Sequence, residues 1–234
     1  MRSPKNTATT PARSGFVRGR LVGAAAIALA ASVAIQNAMF VGVDAPAYGD
    51  PIEEVLAWHA QNRVAVAIAV GLEALNLPLL LGFVTGLHGL VGRRGGAGAD
   101  WSRLAVAAGA TLSAVYALYA VLWIGIVLSA GELAEPSPTF ELAWQLHAAA
   151  FALALPALGT TFIGAALAAH ASGLTPAWQR LLGLVGGSLL LAAGLGNLAI
   201  ADGSALLFVA LPGFFAWPVW LLATGVRLVR SDVD

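Results

Sequence analysis

Long apolar stretches alternate with short polar links along this chain. A helix that crosses the roughly 30 Å hydrocarbon core of a bilayer needs about 20 predominantly apolar residues. Six stretches, numbered here as spans 1 to 6, meet that requirement: Leu21–Val43, Val64–Val91, Leu104–Ser129, Leu142–His170, Leu181–Ile200 and Ala205–Val226. The pattern predicts an all-α polytopic membrane protein with six transmembrane helices in one domain, residues 21–229, between tails at residues 1–20 and 230–234.

The composition excludes several other classes of protein. Hydrophobic residues make up 59% of the chain and charged residues 10%, whereas a soluble domain has about 25% charged residues. Disordered chains are poor in apolar residues and are excluded by the same comparison. The 12 basic and 12 acidic residues balance, so no basic field favours nucleic acid as a partner. The expected partners are the lipid bilayer and either a second copy of the chain or another membrane protein.

The charged residues are distributed unevenly between the two sides of the predicted domain. Eleven of the 12 lysines and arginines lie before span 1, in the link between spans 2 and 3, in the link between spans 4 and 5, or after span 6. The opposite links hold eight acidic residues and one basic residue, Arg63. Since cytoplasmic links are enriched in Lys and Arg, we expect a multi-pass protein of the inner (plasma) membrane with both termini in the cytoplasm.

The amino-terminal region has an alternative interpretation. A basic start, an apolar run and Ala45-Pro46-Ala47 also form the pattern of a cleaved signal peptide. Both the basic region and the apolar run are long for such a signal, and the alternative stays open.

Spans 2–3 and spans 4–5 resemble each other in sequence. The order Leu-Ala-Trp, His, His and Trp-x-Arg-Leu occurs in both, beginning at Leu56 and at Leu142 and reaching Leu104 and Leu181. The pattern predicts two tandem helical-hairpin repeats that form a central four-helix bundle, flanked by spans 1 and 6. The offset between the copies changes from 86 to 77 residues, so chance similarity also stays open.

Two pairs of glycines occur at helical spacing within the spans, Gly82-x₃-Gly86 and Gly183-x₃-Gly187. Small residues four apart let helix backbones approach closely in lipid. Both pairs are therefore candidates for helix contacts.

A few polar residues within the spans are candidates for an intramembrane site, because each is costly in hydrocarbon. Glu73 lies near the middle of span 2, with Asn76 one helical turn away. Thr161 follows His147 by 14 residues, as Glu73 follows His59, and Asn197 lies near the end of span 5. Glu73 could relay protons or bind an amine or a cation. Alternatively, it is a neutral acid that holds helices together by hydrogen bonding.

The four histidines, His59, His88, His147 and His170, invite a haem hypothesis, because membrane cytochromes place histidine pairs on helices. His59 and His88 are 29 residues apart, about 43 Å of helix, and His147 and His170 are 23 residues apart, about 35 Å. Both separations exceed the apolar thickness, so we expect one pair at each interface. The expected roles are anchoring or headgroup contact, or proton entry and exit, with no metal or other cofactor bound.

Two hypotheses for the function follow from these features. The chain has no Gly-x-Ser-x-Gly, His-Glu-x-x-His or phosphate-loop motif, so we expect a non-enzymatic protein. The favoured hypothesis is a non-catalytic accessory or scaffold protein of the membrane. The alternative is a small-solute or proton-coupled transporter or binding protein that uses Glu73. A cavity that reaches Glu73 would favour the transporter, whereas a packed core would favour the scaffold.

One short segment carries a resemblance. Gly173-Leu174-Thr175-Pro176-Ala177-Trp178 enters span 5 after a short link, and an acidic link precedes Trp58-His59. In these features the chain resembles six-helix integral membrane proteins of actinobacteria and other bacteria. That family type has no established activity, so the resemblance implies the architecture alone.

Overall fold

The computed structural model describes residues 12–230, and the side chains of residues 19–230. Within this range the chain is all-helical and contains eight helices. They are α1 (Ala12–Gly42), α2 (Ile52–Gln61), α3 (Arg63–Arg93), α4 (Ala99–Ala130), α5 (Pro138–Ala171), α6 (Ala177–Gly194), α7 (Asn197–Ala201) and α8 (Leu207–Arg230).

Five of these helices are long and apolar enough to cross a membrane. They are α1, α3, α4, α5 and α8, which correspond to predicted spans 1, 2, 3, 4 and 6. Large apolar side chains such as Leu118, Val121 and Leu153 are more than half exposed on their outer faces, as expected where lipid replaces water. This is the architecture of a multi-pass membrane protein. Helix α1 begins at Ala12, inside the region that the sequence predicted as a tail; the rest of that tail lies outside the described residues.

Predicted span 5 is not one continuous helix. Helix α6 has 18 residues, about 27 Å at 1.5 Å per residue, and ends at Gly194. After Leu195 and Gly196 the short helix α7 begins. A Cβ on Gly194 would lie 2.7 Å from the ring of Pro156 in α5, so only glycine lets the end of α6 approach α5 this closely. The two glycines, which are poor helix formers, therefore mark the interruption.

Helix α2 was not predicted, although the sequence carries a signal for it. Ile52, Val55, Leu56 and His59 recur at the i, i+3, i+4, i+7 spacing of an amphipathic helix. Val55, Leu56 and His59 are buried against the bundle. With 10 residues, α2 is too short to cross a bilayer and it caps one end of the bundle.

Each long helix packs against the next one along the chain, and α1 also packs against α8, so that α1, α3, α4, α5, α6 and α8 close a ring. Helix α5 is the most buried of them and also touches α3, α7 and α8. The structure thus does not set spans 2–5 apart as a central bundle, because α1 and α8 complete the same hydrophobic core.

The two ends of the bundle differ in charge. One end, called here the acidic end, consists of α2 and the links at residues 43–51, 131–137 and 202–206. The other, the basic end, consists of the links at residues 94–98 and 172–176 and the helix ends beside them, which hold Arg93, Arg94, Arg180, Arg227 and Arg230. At the basic end the links are joined by a hydrogen bond from the Ser172 hydroxyl to the Ala97 carbonyl, 2.5 Å long.

Candidate functional site

Glu73 is the eleventh of the 31 residues of α3 and is only 5% exposed. The Gln36 side-chain amide of α1 donates a 2.9 Å hydrogen bond to its Oε2 atom. The same amide lies 3.4 Å from the Ala69 carbonyl oxygen. Asn76, one turn further along α3, is near the same carboxyl group. These contacts tie α1 to α3 around a carboxyl group that lies inside the bundle.

A cavity of about 170 Å³, called here the glutamate cavity, reaches Glu73. Its polar wall consists of Gln36, Asn37, Glu73, Asn76, Tyr116 and Tyr119, and the rest of the wall is aliphatic or aromatic. The Oδ1 atom of Asn76 is buried and has no hydrogen-bond partner. An unpaired buried acceptor costs about 1–3 kcal/mol, so Asn76 is held beside this cavity at a cost in stability.

A second and larger cavity of about 410 Å³, called here the histidine cavity, lies at the acidic end. Its walls come from the link at residues 45–48, from α2, α4 and α5, and from residues 203–208. Aromatic and histidine side chains dominate the lining: Phe40, Tyr48, Trp58, His59, Tyr119, Trp123, Trp144, His147, Phe151 and Phe208.

His59 is held in one tautomer by two hydrogen bonds. Its Nδ1 atom lies 2.8 Å from the Val55 carbonyl oxygen, which can only accept. Its Nε2 atom receives a 3.2 Å bond from the indole Nε1 of Trp123. The imidazole is therefore neutral, and burial lowers the pKa of His59 below its ordinary value. Both ring nitrogens are occupied, which leaves His59 no free atom for a ligand.

His147 is only 2% exposed and differs from His59 in one respect. Its Nδ1 atom lies 3.2 Å from the Tyr119 carbonyl oxygen. Its ring stacks on Tyr119 at 3.9 Å and on Trp144 at 5.4 Å, each with an interplanar angle of 21°. Because Nδ1 must donate to the carbonyl, Nε2 is the acceptor of the neutral ring, and it has no partner among the described residues. The edge of this imidazole is therefore available to a ligand.

The two cavities are neighbours. Phe40, Tyr119 and Phe151 line both of them. The phenol of Tyr48 lies near that of Tyr119, and desolvation raises the pKa of Tyr48. Three aromatic side chains thus separate the histidine cavity at the acidic end from the glutamate cavity deeper in the bundle.

The structure brings together only part of the residue set that the sequence predicted. Glu73 and Asn76 share one cavity, and His59 and His147 share the other. His88 bonds the Ser102 hydroxyl at 2.8 Å, and His170 bonds the Thr175 carbonyl at 3.1 Å. The other predicted residues lie outside both cavities.

Thr161 and Asn197 do not contribute to the site around Glu73. The Thr161 hydroxyl donates to the Ala157 carbonyl of its own helix at 2.7 Å, and the residue is fully buried. Asn197 is the first residue of α7 and is half-buried. Glu73 and Thr161 occupy matching positions in the two proposed repeats, but their surroundings in the structure are different.

The aromatic lining was not recognised from the sequence, although a signal exists. Tyr116, Tyr119 and Trp123 are spaced i, i+3, i+7 along α4, and Trp144, His147 and Phe151 have the same spacing along α5. This spacing places each set on one helical face. Both faces meet in the structure, because α4 and α5 form an antiparallel hairpin.

Comparisons with protein families, curated proteins and solved structures found no match to this chain. Within the described residues, no group of three or more His, Asp or Glu side chains is arranged to hold a metal ion. The two cavities are therefore the candidate sites of this protein.

Proposed function

We propose that this protein binds a small solute within its helical bundle, as a transporter or solute-binding protein of the membrane. The observation that carries the proposal is the cavity at Glu73, whose wall contains a carboxyl group and the side chain of Asn76 inside an otherwise apolar bundle. Ionisable residues inside a membrane are costly and mark substrate or proton pathways. A cavity that contains such a group supports the transporter hypothesis over a purely packed core.

The proposal includes a topology. Six crossings of the bacterial inner membrane with both termini in the cytoplasm would place the basic end inside and the acidic end outside, with α6 and α7 together forming the fifth crossing. The charge distribution supports this orientation. The two proposed repeats correspond to the hairpins α3–α4 and α5–α6, each of which is a pair of packed neighbours.

A scaffold function remains the second candidate. The hydrogen bond between Gln36 and Glu73 joins α1 to α3, as expected of a polar residue that fixes helix register. A haem function has less support, because the Nε2 of His59 already accepts a hydrogen bond from Trp123.

Cysteine accessibility tests the proposal directly, since the natural chain contains no cysteine. Asn76→Cys and Leu80→Cys place a thiol in the wall of the glutamate cavity. Ala165→Cys places one in the fully buried core and serves as the control. We expect 2-aminoethyl methanethiosulfonate to modify both cavity thiols in proteoliposomes at rates well above the control. Equal, background rates at all three positions would contradict a hydrated cavity.

Proton coupling is tested with a pH-sensitive dye inside proteoliposomes. Under the transporter hypothesis the wild-type protein conducts protons, and Glu73→Gln abolishes the flux because an amide cannot ionise. Glu141→Gln makes the same change at an exposed position in α5 and should leave the flux unchanged. Equal flux in wild type and Glu73→Gln would exclude Glu73 as a relay.

The orientation is tested with an impermeant maleimide on intact cells. Glu135→Cys lies at the acidic end and Ala97→Cys at the basic end, and both positions are exposed. Only Glu135→Cys should react before the cells are opened, and labelling of Ala97→Cys in intact cells would overturn the topology.

A further inference from the structure

We infer that the histidine cavity is the entry site for a small organic ammonium ion that carries at least one N–H group and an apolar or aromatic substituent. The inference rests on the proposed solute-binding function and specifies the chemical class of the solute. Four features of the cavity lead to this class: its lining, the free edge of His147, its surrounding charges and its size.

The lining can stabilise a cation without a buried counter-ion. Trp58, Trp123, Trp144 and Tyr119 all contribute to the wall. An ammonium group over the face of a Trp or Tyr ring is attracted by the ring quadrupole, which strengthens binding by roughly two- to thirtyfold per well-placed ring. Trp144 and Tyr119 stack on His147, so these rings lie beside the free imidazole nitrogen.

The free nitrogen selects a ligand that donates a hydrogen bond. Tyr119 and Trp144 both stack on the His147 ring, and the Tyr119 carbonyl accepts from its Nδ1. Nε2, which carries a lone pair, is the remaining polar atom of this buried side chain. A neutral imidazole lone pair accepts a bond from an N–H group and repels an anion. A protonated primary, secondary or tertiary amine satisfies both the lone pair and the aromatic faces.

The charges around the cavity favour the same ligand. Asp44 and Asp50 flank the lining segment at residues 45–48, and Asp202 precedes the lining segment that begins at Gly203. All three aspartates are exposed. Within residues 19–230, no Lys or Arg lines either cavity. A solvated acidic rim raises the local concentration of cations, and the carboxyl group of Glu73 lies beyond the shared aromatic residues.

The cavity volume sets the size of the ligand. About 410 Å³ lies within the range of roughly 300–1,000 Å³ that small-molecule pockets have. The volume accommodates an aromatic ring as well as the ammonium group, which the apolar lining would also favour.

Three probes of similar shape test the inference in nanodiscs at pH 7.5, with empty nanodiscs as the control for partitioning. They are N,N-dimethylphenethylammonium, its quaternary analogue N,N,N-trimethylphenethylammonium and the neutral carbon isostere (3,3-dimethylbutyl)benzene. Calorimetry should give the tertiary ammonium the lowest Kd, lower than that of the quaternary ion by on the order of tenfold, because only the tertiary ion donates to His147. The neutral isostere should bind most weakly.

Two variants locate the site. His147→Phe keeps a planar ring and removes the acceptor, so the tertiary and quaternary ions should bind equally. Trp144→Leu should weaken both ions several-fold, whereas Trp178→Leu, the same change at an exposed position outside both cavities, should change neither.

The wild-type series decides the inference even if His147→Phe fails to fold. Equal or tighter binding of the neutral isostere would overturn the ammonium class, and so would the absence of binding by all three probes. Neither result would contradict solute binding in general, which the labelling at Asn76→Cys and Leu80→Cys tests separately.

Discussion

Replacing Gly187 with alanine should destabilise the bundle at the contact between α5 and α6. A Cβ at this position would lie 2.7 Å from the carbonyl oxygen of Gly159 and 2.5 Å from the Cγ1 atom of Ile163. The Ile163 side chain can rotate away, but the Gly159 oxygen belongs to the backbone of α5. Ordinary contact begins near 3.4 Å, so α5 and α6 would have to separate by about 0.7 Å here.

The energetic cost follows from that separation. A gap of roughly 0.5–1 Å forfeits a quarter to a half of the dispersion energy of the affected atom pairs, and overpacking of a well-packed interior costs about 1–3 kcal/mol. Alanine recovers up to about 1 kcal/mol through its higher helix propensity. The expected net loss is about 1–2 kcal/mol in the free energy of unfolding. Helix α5 also carries Trp144 and His147, so the same shift would disturb the histidine cavity.

Gly82→Ala provides a matched control, because a Cβ at Gly82 meets no atom within 4 Å. It should be neutral or stabilising by up to about 1 kcal/mol. The assay is unfolding of the purified protein by SDS titration in mixed micelles, followed by circular dichroism. If Gly187→Ala is as stable as Gly82→Ala, the close approach of α5 and α6 is not part of the native packing.

Three further predictions concern the polar residues. Burial lowers the pKa of His59, so the unfolded chain binds more protons than the folded one. The free energy of unfolding should therefore fall as the pH drops below about 6.5. His59→Gln should make this pH dependence less steep, and an unchanged slope would contradict the prediction. Desolvation raises the pKa of Tyr48, so the free energy of unfolding should fall above about pH 10. Thermal unfolding across that range should show a less steep fall for Tyr48→Phe than for the wild type. Glu73→Gln should cost at most about 1 kcal/mol. Glu73→Leu removes the acceptor of the 2.9 Å bond from Gln36 and should cost about 1–3 kcal/mol. Equal thermal stability of the two variants would refute the contact.

The positions of the long helices could be predicted from the sequence because they depend on local properties. Runs of about 20 apolar residues, ended by glycine, proline or charged residues, specify where a helix can exchange water for lipid. Predicted span 2, Val64–Val91, and observed helix α3, Arg63–Arg93, differ by one residue at one end and two at the other. The interruption of predicted span 5 between α6 and α7 was missed. Its signal is the pair Gly194 and Gly196, and closely spaced glycines are common in a chain with 27 glycines.

The sites depend on distances across the bundle, which no local pattern contains. Glu73 could be singled out by the cost of a carboxyl group in hydrocarbon, but its partner Gln36 lies 37 residues earlier and comes close only because α1 packs on α3. The cost of burying a polar group can thus be recognised residue by residue, whereas the identity of its partner depends on helix packing.

The amino-acid sequence was therefore sufficient to locate the five long apolar helices and to show that the links between them differ in charge. Which polar residues meet, and where space remains between them, depends on how the helices pack against one another. His59 and His147 look equivalent in the sequence, yet the indole of Trp123 occupies one Nε2 atom and leaves the other free. Hydrogen bonds of about 3 Å are sensitive to rotations of a helix that leave its apolar face almost unchanged, so only the packed bundle distinguishes the two histidines.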